Sequence, residues 1–136
     1  MNVANKDARS AVTAQKPPPC ISLVDDDASI REALKSLMRS AQFHVEAFAS
    51  AEEFLASERL HDTACLILDV HLPGMSGFEL QRRWKKEGRA VPIIFITAHA
   101  DEASRQRALE CGAIDFLAKP VRGKTLFKAI QSAIEH

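Results

Sequence analysis

The sequence predicts an α/β fold in which five strand-helix units wind a parallel five-stranded sheet and cover both of its faces. Three observations carry that expectation. Short apolar runs alternate with longer segments whose apolar residues recur at helical spacing. One of the runs, Cys65 to Leu68, is continuously apolar, as a strand covered on both faces should be. Strands that alternate with helices at these distances pair in parallel through right-handed crossovers, which sets helices on either side of the sheet.

The units follow in order. Ile21, Leu23 and Val24 form the first apolar run, which ends in Asp25-Asp26-Asp27, and Ile30, Leu34, Leu37, Met38 and Ala41 then mark a helix that Asp27 or Ser29 can cap. His44 to Phe48 is a weaker second strand. Ser50 caps a short helix with Glu53 three positions on and Phe54 and Leu55 as its apolar face. The third strand, Cys65 to Leu68, stops at Asp69. Pro73-Gly74 marks a loop, and Ser76 to Glu87 reads as a helix with Leu80 and Trp84 on one side. Pro92 opens the fourth strand, Ile93 to Ile96, which leads to Thr97. A charged segment from Asp101 to Cys111 follows, apolar only at Ala103, Ala108 and Leu109, until Gly112 stops it. Ile114 to Leu117 is the fifth strand, and Lys119-Pro120 turns into a last helix that faces Leu126, Phe127, Ile130, Ala133 and Ile134 inward.

At 136 residues the chain is one domain by length, and a hydrophobic content of 46% suits a single core. Lys and Arg number 18 and so do Asp and Glu, so overall charge gives no reason to expect nucleic acid or an anionic membrane as the main partner. The basic residues around Trp84 (Arg82, Arg83, Lys85, Lys86 and Arg89) resemble a small nucleic-acid patch, but basic residues in a last helical turn are also what the helix dipole favours, and a solvated helix end is the preferred reading. No apolar run approaches the roughly 18 residues of a membrane span, and the N-terminus lacks the apolar core of a secretory signal, so the expected location is cytoplasmic. Residues 1–19 have no hydrophobic period and close on Pro17, Pro18 and Pro19, so they read as a flexible tail before a domain over 20–136. Cys20, Cys65 and Cys111 show no CxxC spacing and lie beside apolar segments, which predicts reduced, mostly buried thiols.

Function is read from the strand ends. Ligands of open α/β sheets bind beyond the carboxyl ends of the strands, where the strand order reverses. For the order 2-1-3-4-5 that point lies between the first and third strands, which end in Asp25-Asp26 and in Asp69. Three carboxylates there repel by roughly 4 kcal/mol per pair at about 4 Å and a surface-like dielectric, a cost that a divalent cation removes. Hard oxygens without a nearby thiolate pair favour Mg²⁺. Asp26 and Asp69 are the expected direct ligands, Asp25 a water-mediated one, and the backbone carbonyl of His71 a further oxygen. Asp69, fixed by a rigid strand, is also the best carboxylate nucleophile toward phosphorus. Lys119 adds positive charge for the phosphoryl oxygens, and the Thr97 hydroxyl can donate a hydrogen bond to one of them. Pro120 is expected to fix the turn after Lys119 through a cis bond.

Val24-Asp25-Asp26-Asp27, Leu68-Asp69 with Leu72-Pro73-Gly74-Met75-Ser76-Gly77, Ile96-Thr97-Ala98 and Ala118-Lys119-Pro120 together resemble the receiver domain of bacterial two-component response regulators. The likeness covers about residues 20–136. Steps of 44 residues from Asp25 to Asp69, 28 to Thr97 and 22 to Lys119 are most similar to the FixJ-type group. The resemblance implies the flavodoxin/CheY-like (βα)5 fold with strand order 2-1-3-4-5. It implies a signalling switch rather than an enzyme acting on outside substrates. A sensor histidine kinase or phosphotransfer protein would donate a phosphoryl group to Asp69, and the domain would assist its own phosphorylation and dephosphorylation. Thr97 and Phe116 would be the switch pair, 101–111 the moving segment, and residues about 101–117 the surface of a phosphorylation-dependent homodimer. For His71 and His99 two readings stand: they tune how fast water reaches the phosphoryl group, or they are exposed loop residues.

Two other functions use the same residues. A haloacid-dehalogenase-like, Mg²⁺-dependent phosphohydrolase would carry a second Asp two residues after its nucleophile, where this chain has His71, and would need a cap domain. A receiver-like interaction module that takes no phosphate would not need all five of Asp25, Asp26, Asp69, Thr97 and Lys119. The chain ends about one helix after Lys119, which leaves no room within it for an output domain, so no direct nucleic-acid contact is expected.

Overall fold

A computed structural model describes residues 19–58 and 60–135. The tail expected over 1–19 lies outside these residues except for Pro19. The elements alternate as β1 (Cys20–Val24), α1 (Ala28–Ser40), β2 (His44–Phe48), α2 (Ala51–Leu55), a 3-10 turn (Leu60–Asp62), β3 (Thr63–Asp69), α3 (Gly77–Lys86), β4 (Ile93–Thr97), α4 (Glu102–Glu110), β5 (Asp115–Ala118) and α5 (Gly123–Ile134). The strands form one parallel sheet in the order β2-β1-β3-β4-β5, the doubly wound order 2-1-3-4-5.

Side chains alternate across the strands and divide the core in two. Leu66, Leu68 and Phe95 point to the layer that holds Phe54, Leu80 and Trp84 from α2 and α3. Cys65, Ile67, Ile94 and Ile96 point to the opposite layer, with Leu34 and Met38 from α1 and Leu126 and Ile130 from α5. Buried polar groups inside the sheet are paired, as they must be: the hydroxyls of Ser22 and Thr63 lie 2.7 Å apart between β1 and β3.

Three of the helices that follow site loops, α1, α3 and α4, start on side-chain caps, so those loops end at fixed points, whereas α5 begins after Arg122 without one. The Asp27 carboxylate accepts from the backbone N–H of Ser29 and Ile30. Ser76 and Glu79 form a reciprocal capping box at α3, and the hydrogen bonds from Ser76 hold the Glu79 carboxyl below its ordinary range. Asp101 caps α4 by accepting from Ser104 N. α4 is the least anchored helix: Ala108 is its one buried residue.

The structure departs from the sequence expectation at two places, while the thiols are reduced and mostly buried as expected. The fifth strand begins at Asp115, because Asp115 takes the register position opposite Ile94 while the Ile114 side chain is exposed. The 3-10 turn before β3 has no hydrophobic period to reveal it. Cys20 and Cys65 are buried, whereas Cys111 ends α4 as an exposed thiol.

Candidate functional site

Register brings the strand-end residues together. Val24 pairs with Leu68, so the next residues on those strands, Asp25 and Asp69, leave the sheet side by side. Asp69 pairs with Ile96, one short of Thr97, and Thr97 pairs with Ala118, one short of Lys119. The four neighbouring strand ends thus step along one edge. Backbone bonds from Val70 N to Ile96 O at 3.1 Å and from Lys119 N to Thr97 O at 2.8 Å carry the ladder past the last strand residues.

One carboxylate oxygen from each of Asp25, Asp26 and Asp69 lies within 4.8 Å of the other two. Asp25 and Asp69 are buried, Asp26 exposed. Asp25 Oδ1 accepts from Asp27 N at 2.9 Å, and Asp69 Oδ1 accepts from His71 N at 3.1 Å, which orients both carboxylates. Lys119 reaches between them: Nζ donates to Asp69 Oδ2 at 2.9 Å and makes an ionic contact of 2.8 Å with Asp25 Oδ2. The Lys119-Pro120 bond is cis.

Burial pushes the Asp69 carboxyl up, as does the neighbouring Asp25 charge, against the lowering pull of Lys119 and of the His71 N–H. Burial by itself draws the Lys119 ammonium down, but its contacts with Asp25 and Asp69 together outweigh this and leave it raised, hence firmly charged. Three carboxylates against one ammonium leave an excess of negative charge on hard oxygens. That donor set fits Mg²⁺ and offers nothing to a thiophilic metal.

Thr97 is fully buried, and its Oγ1 accepts from His99 N at 3.1 Å, so its own hydroxyl hydrogen remains to be donated. Phe116 is buried on β5, opposite Phe95. His71 and His99 are exposed, with ring centroids 5.9 Å apart and ring planes at 76°. All the side chains expected at the site therefore belong to one rim, Phe116 lying beneath it in the sheet.

Two supporting residues escaped the sequence reading. Arg31 Nη1 donates to the backbone carbonyl of Asp25 at 2.8 Å and so braces the loop after β1 from α1. Its trace in the sequence is a cation in a first helical turn, where the helix dipole disfavours one. Glu52 on α2 accepts from Met75 N at 3.0 Å and holds the loop after β3. Gly74 turns that loop with φ +74°, and any side chain there would run into the Glu52 carboxylate. The sequence marks Glu53, three positions after Ser50, as a capping residue, but nothing in it points Glu52 at the loop after β3.

Among known proteins, the family model for the response regulator receiver domain matches residues 21–131. The response regulator protein TodT of Pseudomonas putida is 44% identical over 115 residues, which is 85% of this chain and 51% of TodT. The transcriptional regulatory protein FixJ of Bradyrhizobium diazoefficiens is 39% identical over 114 residues, covering 84% of this chain and 56% of FixJ. The solved structure of the response regulator StyR superposes with a TM-score of 0.80 at 44% identity, over 88% of this chain and 60% of that one. This chain spans about half the length of these curated relatives. With the parallel 2-1-3-4-5 sheet and acidic strand ends in place, the chain belongs to the response regulator receiver domains of two-component signalling systems.

Proposed function

We propose that this receiver domain takes a phosphoryl group on Asp69 in a Mg²⁺-dependent reaction and releases it later as inorganic phosphate. The observation that supports this most is the meeting of three carboxylates and the Lys119 ammonium at one point on the sheet edge. Asp26 and Asp69 would hold Mg²⁺ directly, Asp25 through water, and the His71 carbonyl would add an oxygen. The bound ion would supply positive charge to the phosphoryl oxygens. The donor is a phosphohistidine of a sensor histidine kinase or phosphotransfer protein. A carboxylate oxygen of Asp69 attacks phosphorus, the P–N bond to the donor imidazole breaks, and that imidazole leaves with the bond's electron pair and takes up a proton. In the second half, a water oxygen attacks phosphorus, the P–O bond to Asp69 breaks, the Asp69 carboxylate leaves with that bond's electron pair, and inorganic phosphate departs as the water's protons pass to it and to solvent.

Lys119 is charged and within reach, so it can turn from the free carboxylates to an equatorial phosphoryl oxygen as charge develops there. The Thr97 hydroxyl donates to a second oxygen, and Phe116 moves with it into the space Thr97 vacates. A phosphoryl group that reverses a 1:99 equilibrium must favour the active state by about 5.5 kcal/mol. α4 is the element with least packing to resist, and the surface of residues 101–117 is where the switched form would dimerise. His71 and His99 stand at the mouth and set the phosphoryl lifetime by controlling water. Among the described residues no helix is long and apolar enough to cross a membrane. The domain works in the cytoplasm, and this chain makes no direct nucleic-acid contact.

The test is incubation with acetyl phosphate, with and without Mg²⁺, followed by intact mass measurement. The wild type should gain one phosphoryl group only with the metal, and Asp69→Asn none. Equal gain in both proteins would remove Asp69 from the role.

A further inference from the structure

A groove of about 410 Å³ lies between α3 and α4. Its floor is Phe78 and Gln81, both buried; its rim is Arg82, Lys85, Lys86 and Arg107, all exposed, with the exposed Cys111 at one end. Gln81 Nε2 donates to Cys111 O at 3.3 Å and so ties the two walls together. The Arg107 guanidinium lies 4.2 Å from the centre of the Phe78 ring. Lys85, Lys86 and Arg107 sit in last helical turns, directed away from the strand ends that carry the carboxylates.

The helix dipole accounts for a cation in a last turn, but not for what these four lack. Elsewhere on the same helices exposed cations pair with carboxylates: Arg83 with Glu87, and Arg105 with Glu102. Among the described residues none of Arg82, Lys85, Lys86 and Arg107 forms such a pair, although Arg82 is near enough to Glu79 for its charge to help lower that carboxyl, and no acidic side chain lines the groove. A chain of zero net formal charge thus concentrates four cations around carbon-rich walls made of the Phe78 ring and the aliphatic stems of the long side chains. We infer that this groove is a docking site for an acidic segment of a partner protein, one that seats an aliphatic side chain between its carboxylates. Charge complementarity selects an acidic occupant, and the carbon-lined walls favour an amphipathic peptide over a nucleic acid. Single-stranded nucleic acid needs exposed aromatic faces for stacking, and Phe78 is buried beneath Arg107. The inference stands apart from the role proposed for Asp69, since the groove needs no phosphoryl group to exist.

The experiment titrates the full chain with a fluorescent peptide of alternating Glu and Leu, and with a short single-stranded oligonucleotide of the same charge. Two double variants are compared: Lys85→Glu with Arg107→Glu in the groove, and Arg83→Glu with Arg105→Glu outside it. Each changes the net charge equally, and circular dichroism checks that both fold. Saturable binding of one peptide per chain is expected, weakened about tenfold or more by the groove reversal and little by the other. The bound peptide should also slow labelling of Cys111 by a maleimide. No saturable binding, equal weakening by both reversals, an unprotected Cys111, or tighter binding of the oligonucleotide would each overturn the proposal. Phosphoryl uptake by the groove variant, measured alongside, reports on Asp69 separately.

Discussion

Removing a charge from the carboxylate cluster should stabilise the metal-free protein, the reverse of what most substitutions do. Asp26→Asn is the cleanest case, because Asp26 is exposed and makes no contact that the fold needs. Its carboxylate faces two others within 4.8 Å. At the 4.8 Å limit each pair repels by about 3.5 kcal/mol at an effective dielectric near 20, and by about 0.9 kcal/mol in bulk water. Lys119 offsets roughly one of the two repulsions, and the exposure of Asp26 moves the remainder toward the aqueous value. The expected gain is therefore about 1 kcal/mol, or about 4 °C in Tm for a chain of this size. Urea unfolding with a chelator and then with Mg²⁺ measures both sides of the argument. Wild type should gain about 2.7 kcal/mol at a Mg²⁺ concentration about 100 times Kd, and the variant far less at the same concentration. A variant less stable than wild type without metal, or one that keeps the whole Mg²⁺ increment, would refute the reasoning.

Further outcomes follow from the same geometry. The Asp69 carboxyl is raised by burial, so its ionisation opposes folding, and the metal-free wild type recovers that stability as pH falls through the raised value toward the ordinary 3.8. Asp69→Asn should be the more stable protein at neutral pH with the gap closing on acidification; a gap that widens there contradicts the sign. Gly77→Ala should cost about 1–3 kcal/mol in urea unfolding, because a Cβ there overlaps the backbone carbonyl of Asp69 and neither chain segment can yield cheaply. Thiol reagents should modify Cys111 in the folded protein, while Cys65, whose thiol burial pushes up to about 12, should react only on unfolding. Replacing His71 and His99 together with Ala should change the rate of phosphoryl loss, and an unchanged rate would return both to the role of exposed loop residues.

Most of the fold was legible because alternation leaves few choices: a strand such as Cys65 to Leu68, apolar at every position, must have helices on both faces, and the crossovers must be right-handed. The site was legible for a related reason. Parallel strands expose their carboxyl ends on one edge, so Asp25, Asp69, Thr97 and Lys119 could be placed near one another before any register was known. What the sequence did not carry was anything set by reach across space. That Lys119 lies between Asp25 and Asp69, that Arg31 braces a carbonyl, and that Glu52 rather than Glu53 holds the loop after β3 depend on side-chain paths between elements. The exposure of Cys111 follows from how shallowly α4 is packed, which its near absence of apolar residues hinted at without fixing which side faced solvent.

The most direct test of Asp69 as phosphoacceptor is chemical localisation of the group. Borohydride reduction of the phosphorylated protein converts an aspartyl phosphate to homoserine, and peptide mass spectrometry then reads its position. Homoserine at residue 69 and at no other aspartate is the predicted result. Homoserine at Asp25 or Asp26, or phosphate found on a histidine instead, would contradict it.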